Sequence, residues 1–309
     1  MIHYIFKRTM FSLFTLFVVL VFVFFAARVS GNPIAVMYPD GLEPGQLEQY
    51  NEKYGLDKSY PEQFMVSITN MFRGDFGESI VERRPVTEII FTRLGETLKL
   101  GIWAFGISVV VGVLLGIYTA LNRGKLIAEI CNQIMSVLYA IPGFIIAIFL
   151  MLVFSFYMNL LPSQGGGSPS HYIMPIICLS IGPIISIARH VRNGILETIS
   201  QDYIRTAVAK GVGRKNTIYK HAFRNSLIPT LTQIGIVIVD IIAGSLVIET
   251  IFSWPGIGST LVNSVLDRDF PVIQFTIILL SFVIIFINYL LDILYMIVDP
   301  RIGKGGQTL

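Results

Sequence analysis

Residues Leu100–Ala120 read LGIWAFGISVVVGVLLGIYTA, twenty-one positions without a charge. A helix needs about 20 apolar residues to cross ~30 Å of hydrocarbon, so this stretch alone places the chain in a membrane. Five more segments have the same character: Met10–Ala27, Ile134–Tyr157, Ile173–Ala188, Ile228–Ile248 and Val272–Val298. Lipid offers no partners to backbone N–H and C=O groups, and runs this long and this uniformly apolar do not suit barrel strands. The expected fold class is all-α integral membrane, with six transmembrane helices. The fourth segment is shorter and holds Pro175 and Pro183. Gly112 and Gly116 in the second form a GxxxG pair that permits close helix contact, a common feature of membrane spans.

Composition agrees. Of 309 residues, 53% are hydrophobic and only 14% charged, against roughly 25% in soluble domains. A net charge of +3 gives no reason to invoke nucleic acid. Cys131 and Cys178 lie at or in apolar stretches without a CxxC or His/Cys cluster, and read as buried thiols. The first segment follows Lys7 and Arg8, exceeds a signal core in length and lacks a clean cleavage site, so it reads as a retained anchor.

Sidedness follows from Lys and Arg. With the N-terminus inside, the inner segments carry 14 of them and the outer ones 9, eight of the nine in or flanking one long loop where the rule is weak. Both termini are therefore expected in the cytoplasm. The chain divides into an anchor helix (1–30), an extracytoplasmic segment (31–95) and a five-helix core (96–309) with an inner loop at 193–225. The outer segment holds a candidate helix at Gln46–Tyr54 and an apolar-periodic stretch at Pro61–Phe72. Leu161–Gly167 reads as a flexible outer turn. After the fifth span, Trp254 suits the membrane interface, Pro255, Gly256 and Gly258 break the helix, and Leu261–Leu266 reads as either a short helix at the outer mouth or a plain loop.

The inner loop is patterned. Gln201–Lys210 reads as a helix with Ile204, Ala207 and Val208 on one face, Gly211 and Gly213 end it, and a basic helical stretch continues to Arg224. Such a surface either docks a soluble partner or faces lipid headgroups and sets topology.

No catalytic constellation is present. There is no GxxxxGK[ST] phosphate loop, and His3, His171, His190 and His221 have no metal-ligand spacing. Polar residues within spans are costly. Gln233 and Asp240 share a face of the fifth, and Asn288 and Asp292 a face of the sixth. Gln233, Asp240 and Asn288 either line a translocation path or hydrogen-bond between helices. Asp292, near the inner end, fits the second reading better.

Several strings together resemble the peptide branch of ABC importer permeases, the dipeptide, oligopeptide and nickel type. They are Tyr54–Lys58, Phe72–Gly77, Arg93–Leu98, Asp202–Ala207, Ala209–Gly211, His221–Pro229, Phe252–Gly258, Asp267–Pro271 and Asp299–Arg301. The resemblance covers nearly the whole chain. It implies the type I importer permease fold and a coupling helix seated in a groove of an ATPase, here on Asp202, Tyr203, Arg205, Thr206, Ala207, Ala209, Lys210 and Gly211. Arg205 and Thr206 stand where the general coupling pattern has Glu and Ala, as in the peptide branch's own version. It also implies a heterodimer with a second permease, two ATPase subunits that hold ATP and Mg, an extracytoplasmic binding protein, and a place in the bacterial cell membrane. The expected function is import of small peptides by alternating access, with no cofactor or metal in this chain. The alternatives are nickel or a metal–chelator complex on the same fold and, further off, an ion-driven carrier, which would show internal repeats not found here.

Overall fold

A computed structural model describes residues 2–29, 58–199, 201–202 and 223–298. Among them the regular elements are helices: α1 (Ile2–Val29), α2 (Tyr60–Phe72), α3 (Val86–Leu121), α4 (Leu126–Ala140), α5 (Gly143–Leu150) continued by a π-helical stretch (Met151–Tyr157), α6 (Pro169–Ile199), α7 (Phe223–Ile251), α8 (Ile257–Leu266) and α9 (Phe270–Val298). α1, α3, α6, α7 and α9 are long and apolar enough to cross a membrane. The α4–α5 pair makes a sixth span if its arms count as one. Their outward side chains are apolar, Phe14 and Phe22 on α1 and Trp103 and Leu114 on α3 among them, a surface lipid tolerates and water does not. The stretch expected as a helix at Gln46–Tyr54 lies outside the described residues.

The third span departs from expectation. Hydropathy gives one helix over Ile134–Tyr157. The chain instead forms two arms, Leu126–Ala140 and Gly143–Tyr157, bent by 100°. Pro142 has no N–H to continue α4, and its ring pushes Ile141 out of the helical region, to φ −87°, ψ 123°. The fourth span is longer than expected, running unbroken from Pro169 to Ile199 through both prolines. Hydroxyls tie α6 to itself and to α3: Ser180 Oγ donates to Ile176 O (2.6 Å) and lies 3.3 Å from Ala104 O on α3, while Ser108 Oγ donates to Ala104 O (2.6 Å).

The chain divides into two compact units. Unit one combines Met1–Gly95 with Ser259–Tyr289. Here Phe24 of α1 meets Phe64 of α2 edge-to-face at 5.3 Å, and Thr9 donates to the Tyr289 hydroxyl at 3.1 Å. α2 is opened by Ser59, whose N–H and hydroxyl both donate to Glu62 (3.1 and 2.9 Å). These two bonds hold the Glu62 carboxyl below its usual value. The turn between Glu78 and Pro85 is clamped from a distance by Asp269, which is almost fully buried. Its carboxylate accepts from the Ser79 hydroxyl and from the N–H groups of Ile80 (3.1 Å) and Val81 (3.3 Å). Asp269→Ala strands these donors and is expected to cost about 2–3 kcal/mol. The readout is trypsin cleavage after Arg83 in the purified protein, since Pro85 protects the bond after Arg84; cleavage should accelerate, and unchanged cleavage would show that the clamp contributes little.

Unit two combines Glu96–Gly258 with Leu290–Leu309. Its core joins α3, α6 and α7 through Leu100, Ala104, Leu179, Ile187, Val191, Val237 and Ile248. The GxxxG pair sits where α3 crosses α6. A Cβ on Gly112 would lie 2.8 Å from Ile187 Cβ, and one on Gly116 would lie 2.7 Å from Ala188 O. The backbones touch there because neither residue has a side chain. Both cysteines are free thiols, Cys178 buried and Cys131 half-buried.

Candidate functional site

Unit two carries two features with functional bearing. The first is a clasp at the end of α7. Ser253, at φ 48°, stops the helix in the left-handed conformation, and the Trp254 N–H returns to Glu249 O at 2.8 Å. Glu249 is fully buried. Its carboxylate accepts the Thr97 hydroxyl (2.7 Å) and the Gly258 N–H (2.6 Å), and Thr97 in turn accepts the Ile257 N–H (2.8 Å). One acid thus binds the start of the second span, the end of the fifth and the first turn of α8. The Pro255-Gly256-Ile257-Gly258 string acquires a steric reason. A Cβ on Gly256 would fall 2.4 Å from the Glu249 carboxylate, and one on Gly258 2.4 Å from Leu246 Cα.

Trp254 is not laid out at an interface. It is fully buried, edge-to-face on Tyr172 at 4.5 Å, with its indole N–H donating to Glu96 O at 3.3 Å. The glycine turn docks on the same loop: the Gly165 N–H donates to Phe252 O at 2.8 Å, and a Cβ on Gly166 would crowd Pro255 at 3.3 Å.

The second feature is a groove of about 400 Å³ beside the break in the third span, lined by Tyr139, Pro142, Phe144, Cys178, Pro183 and Asp240 among others. Asp240 stands exposed near the middle of the apolar part of α7. Gln233, two helical turns earlier, does not border the groove; it is buried and donates to Ser186 Oγ on α6 at 2.7 Å. Asn288 is exposed on α9 within unit one, and Asp292 is half-buried in the other unit. Asp202 is exposed at the edge of the described residues. Tyr203, Arg205, Thr206, Ala207, Ala209, Lys210 and Gly211 lie outside them.

Glu249 and Asp269 escape a reading based on span polarity, because each lies at the end of an apolar run and not within it. The available signal is that an acid within a turn of a span needs a buried partner.

The profile of the family described as "Binding-protein-dependent transport system inner membrane component" matches residues 112–304. The chain belongs to this family. As an inner-membrane component it is related end to end to the dipeptide transport system permease protein DppB of Lactococcus lactis subsp. cremoris (strain MG1363), with 39% identity over 304 residues covering 98% of this chain and 99% of that one. The glutathione transport system permease protein GsiC of Escherichia coli (strain K12) is 37% identical over 303 residues, with the same coverage. Among solved structures, an inward-facing MetNI methionine ABC transporter aligns with a TM-score of 0.58 at 19% identity, covering 69% of this chain and 97% of that chain. That likeness speaks for the fold, which is of the type I ABC importer permease kind. This inner-membrane component is thus a multi-pass transport subunit.

Proposed function

We propose that this permease carries small peptides or peptide-like solutes inward as one half of an ATP-driven importer. The observation that carries this reading is the end-to-end relationship with a dipeptide permease, supported by the similar relationship with a glutathione permease. Both relatives move peptide solutes by name, which favours that class over nickel or a metal–chelator complex. Membership of a binding-protein-dependent family disfavours an ion-driven carrier. In this reading the partners are a second, homologous permease, two ATPase subunits that bind ATP and Mg, and an extracytoplasmic binding protein. Both termini face the cytoplasm, and the segment from Asp202 to Gly211 couples the ATPase to the spans. ATP binding closes the ATPase pair, the coupling segment moves, and the spans open outward to receive the solute.

The test is gene deletion followed by uptake of labelled di- and oligopeptides beside nickel, cobalt and zinc, each with and without a chelator. Loss of peptide uptake alone is expected. Loss of metal uptake only with chelator present would replace the peptide reading with a metallophore one.

A further inference from the structure

The groove beside the broken span has a chemical asymmetry. Its described lining is mostly apolar side chains and backbone, with Tyr139 and Cys178 among them; it holds no Lys, Arg or His, although Arg189 stacks on the Tyr139 ring at 4.8 Å, and Asp240 is its one carboxyl group. The last turn of α4 borders the same groove through Leu138, Tyr139 and Ile141. That end of a helix carries the negative pole of its dipole; of its last carbonyls, Leu138 O accepts the Ile141 N–H at 3.3 Å. The break at Ile141–Pro142 is what brings such an end into the middle of a span. An acid and a helix C-terminus therefore flank one apolar groove, and both favour a positive charge.

Lipid is a poor occupant at this depth. A carboxylate near the centre of an apolar span faces a cavity or a partner group, because hydrocarbon does not solvate it. Asp240 has no side-chain partner of its own in the described fold, whereas Gln233 on the same helix has Ser186. Unwound backbone and helix ends at mid-membrane depth are tolerated where protein buries them or where they line a water-filled cavity, as at the solute sites of carriers with broken helices.

We propose that the Asp240 carboxylate, beside the C-terminal end of α4, receives the protonated amino terminus of the travelling peptide, while the apolar walls around Phe144 and Pro183 accommodate its side chains. This rests on the peptide reading above and adds to it the end of the solute that is held. No bond is made or broken; the contact is a charge-assisted hydrogen bond that must be weak enough to release.

The test uses the complete importer in proteoliposomes, with binding protein loaded beforehand with either a free-amine peptide or its N-acetylated form. Import is expressed per peptide loaded, which divides out selection by the binding protein. For Asp240→Asn, import of the free-amine peptide is expected to fall about tenfold or more, the scale of one charge-assisted bond. Import of the acetylated peptide should stay at the wild-type level, stimulated ATP hydrolysis should persist, and Asp240→Glu should restore most of the loss. An equal change for both peptides, or none for either, would overturn the proposal and leave the groove to lipid or the second permease. Loss of subunit co-purification in Asp240→Asn would overturn it in favour of a subunit contact. A wild-type importer that carries no peptide would instead remove the peptide reading itself.

Discussion

Glu249→Ala is expected to destabilise the permease by about 3 kcal/mol, because it leaves the Gly258 N–H and the Thr97 hydroxyl buried without their acceptor. The loss should appear as a lower unfolding temperature in detergent and as poor recovery of the assembled importer. Glu249→Gln should fall between, since an amide oxygen still accepts one bond while its NH2 faces donors. The sharper expectation is a coupling. Gly256→Ala alone should also be severe, as the new methyl would sit 2.4 Å from the carboxylate. With Glu249 already reduced to alanine, that methyl has room, so the double variant should be no worse than Glu249→Ala. Additive losses would show that the carboxylate is not what Gly256 accommodates.

The second large effect belongs to the crossing of α3 and α6. Gly116→Ala places a methyl 2.7 Å from Ala188 O and from Val191 Cβ, and Gly112→Ala one at 2.8 Å from Ile187 Cβ. The contact at Ala188 is with backbone, which cannot rotate away, so the helices must separate. Overpacking of this kind costs about 1–3 kcal/mol per site. The pair together should abolish recovery of folded protein. Gly106→Ala on the same helix is the control: nothing lies within 4 Å of its new methyl. It should be neutral, or slightly stabilising because alanine suits a helix better than glycine. Equal behaviour of Gly106 and Gly116 would show that close approach is not what the GxxxG pair supplies.

Hydropathy reveals the spans well where a run is long and its ends are polar, as with α1, α7 and α9. It is blind to direction, which is why Ile134–Tyr157 reads as one helix when Pro142 turns the chain through 100°. It also stops short on α6, because Arg189 and Arg192 look like the end of a span, yet the helix continues to Ile199. Part of the groove is legible: Asp240 is conspicuous in its apolar run, and Pro142-Gly143 is a breaker signal, but a hydropathy window averages over that dipeptide and so misses its neighbours at the break. The clasp is hidden for a different reason. Glu249 meets Gly258 nine positions on, but its tie to the second span runs through Thr97, 152 positions earlier, and no local pattern links residues so far apart.

That separation has a consequence for biogenesis. A ribosome adding ~5–20 residues per second needs on the order of ten seconds to pass from Thr97 to Glu249. The Ser79–Asp269 clamp spans 190 positions and closes later still. The second span therefore waits in the bilayer with its polar entry unpartnered until the fifth arrives, and the Glu78–Pro85 turn waits for Asp269. A quality-control protease that samples nascent membrane proteins has its longest opportunity in that interval, so variants weakening either attachment should be depleted during synthesis more than after assembly.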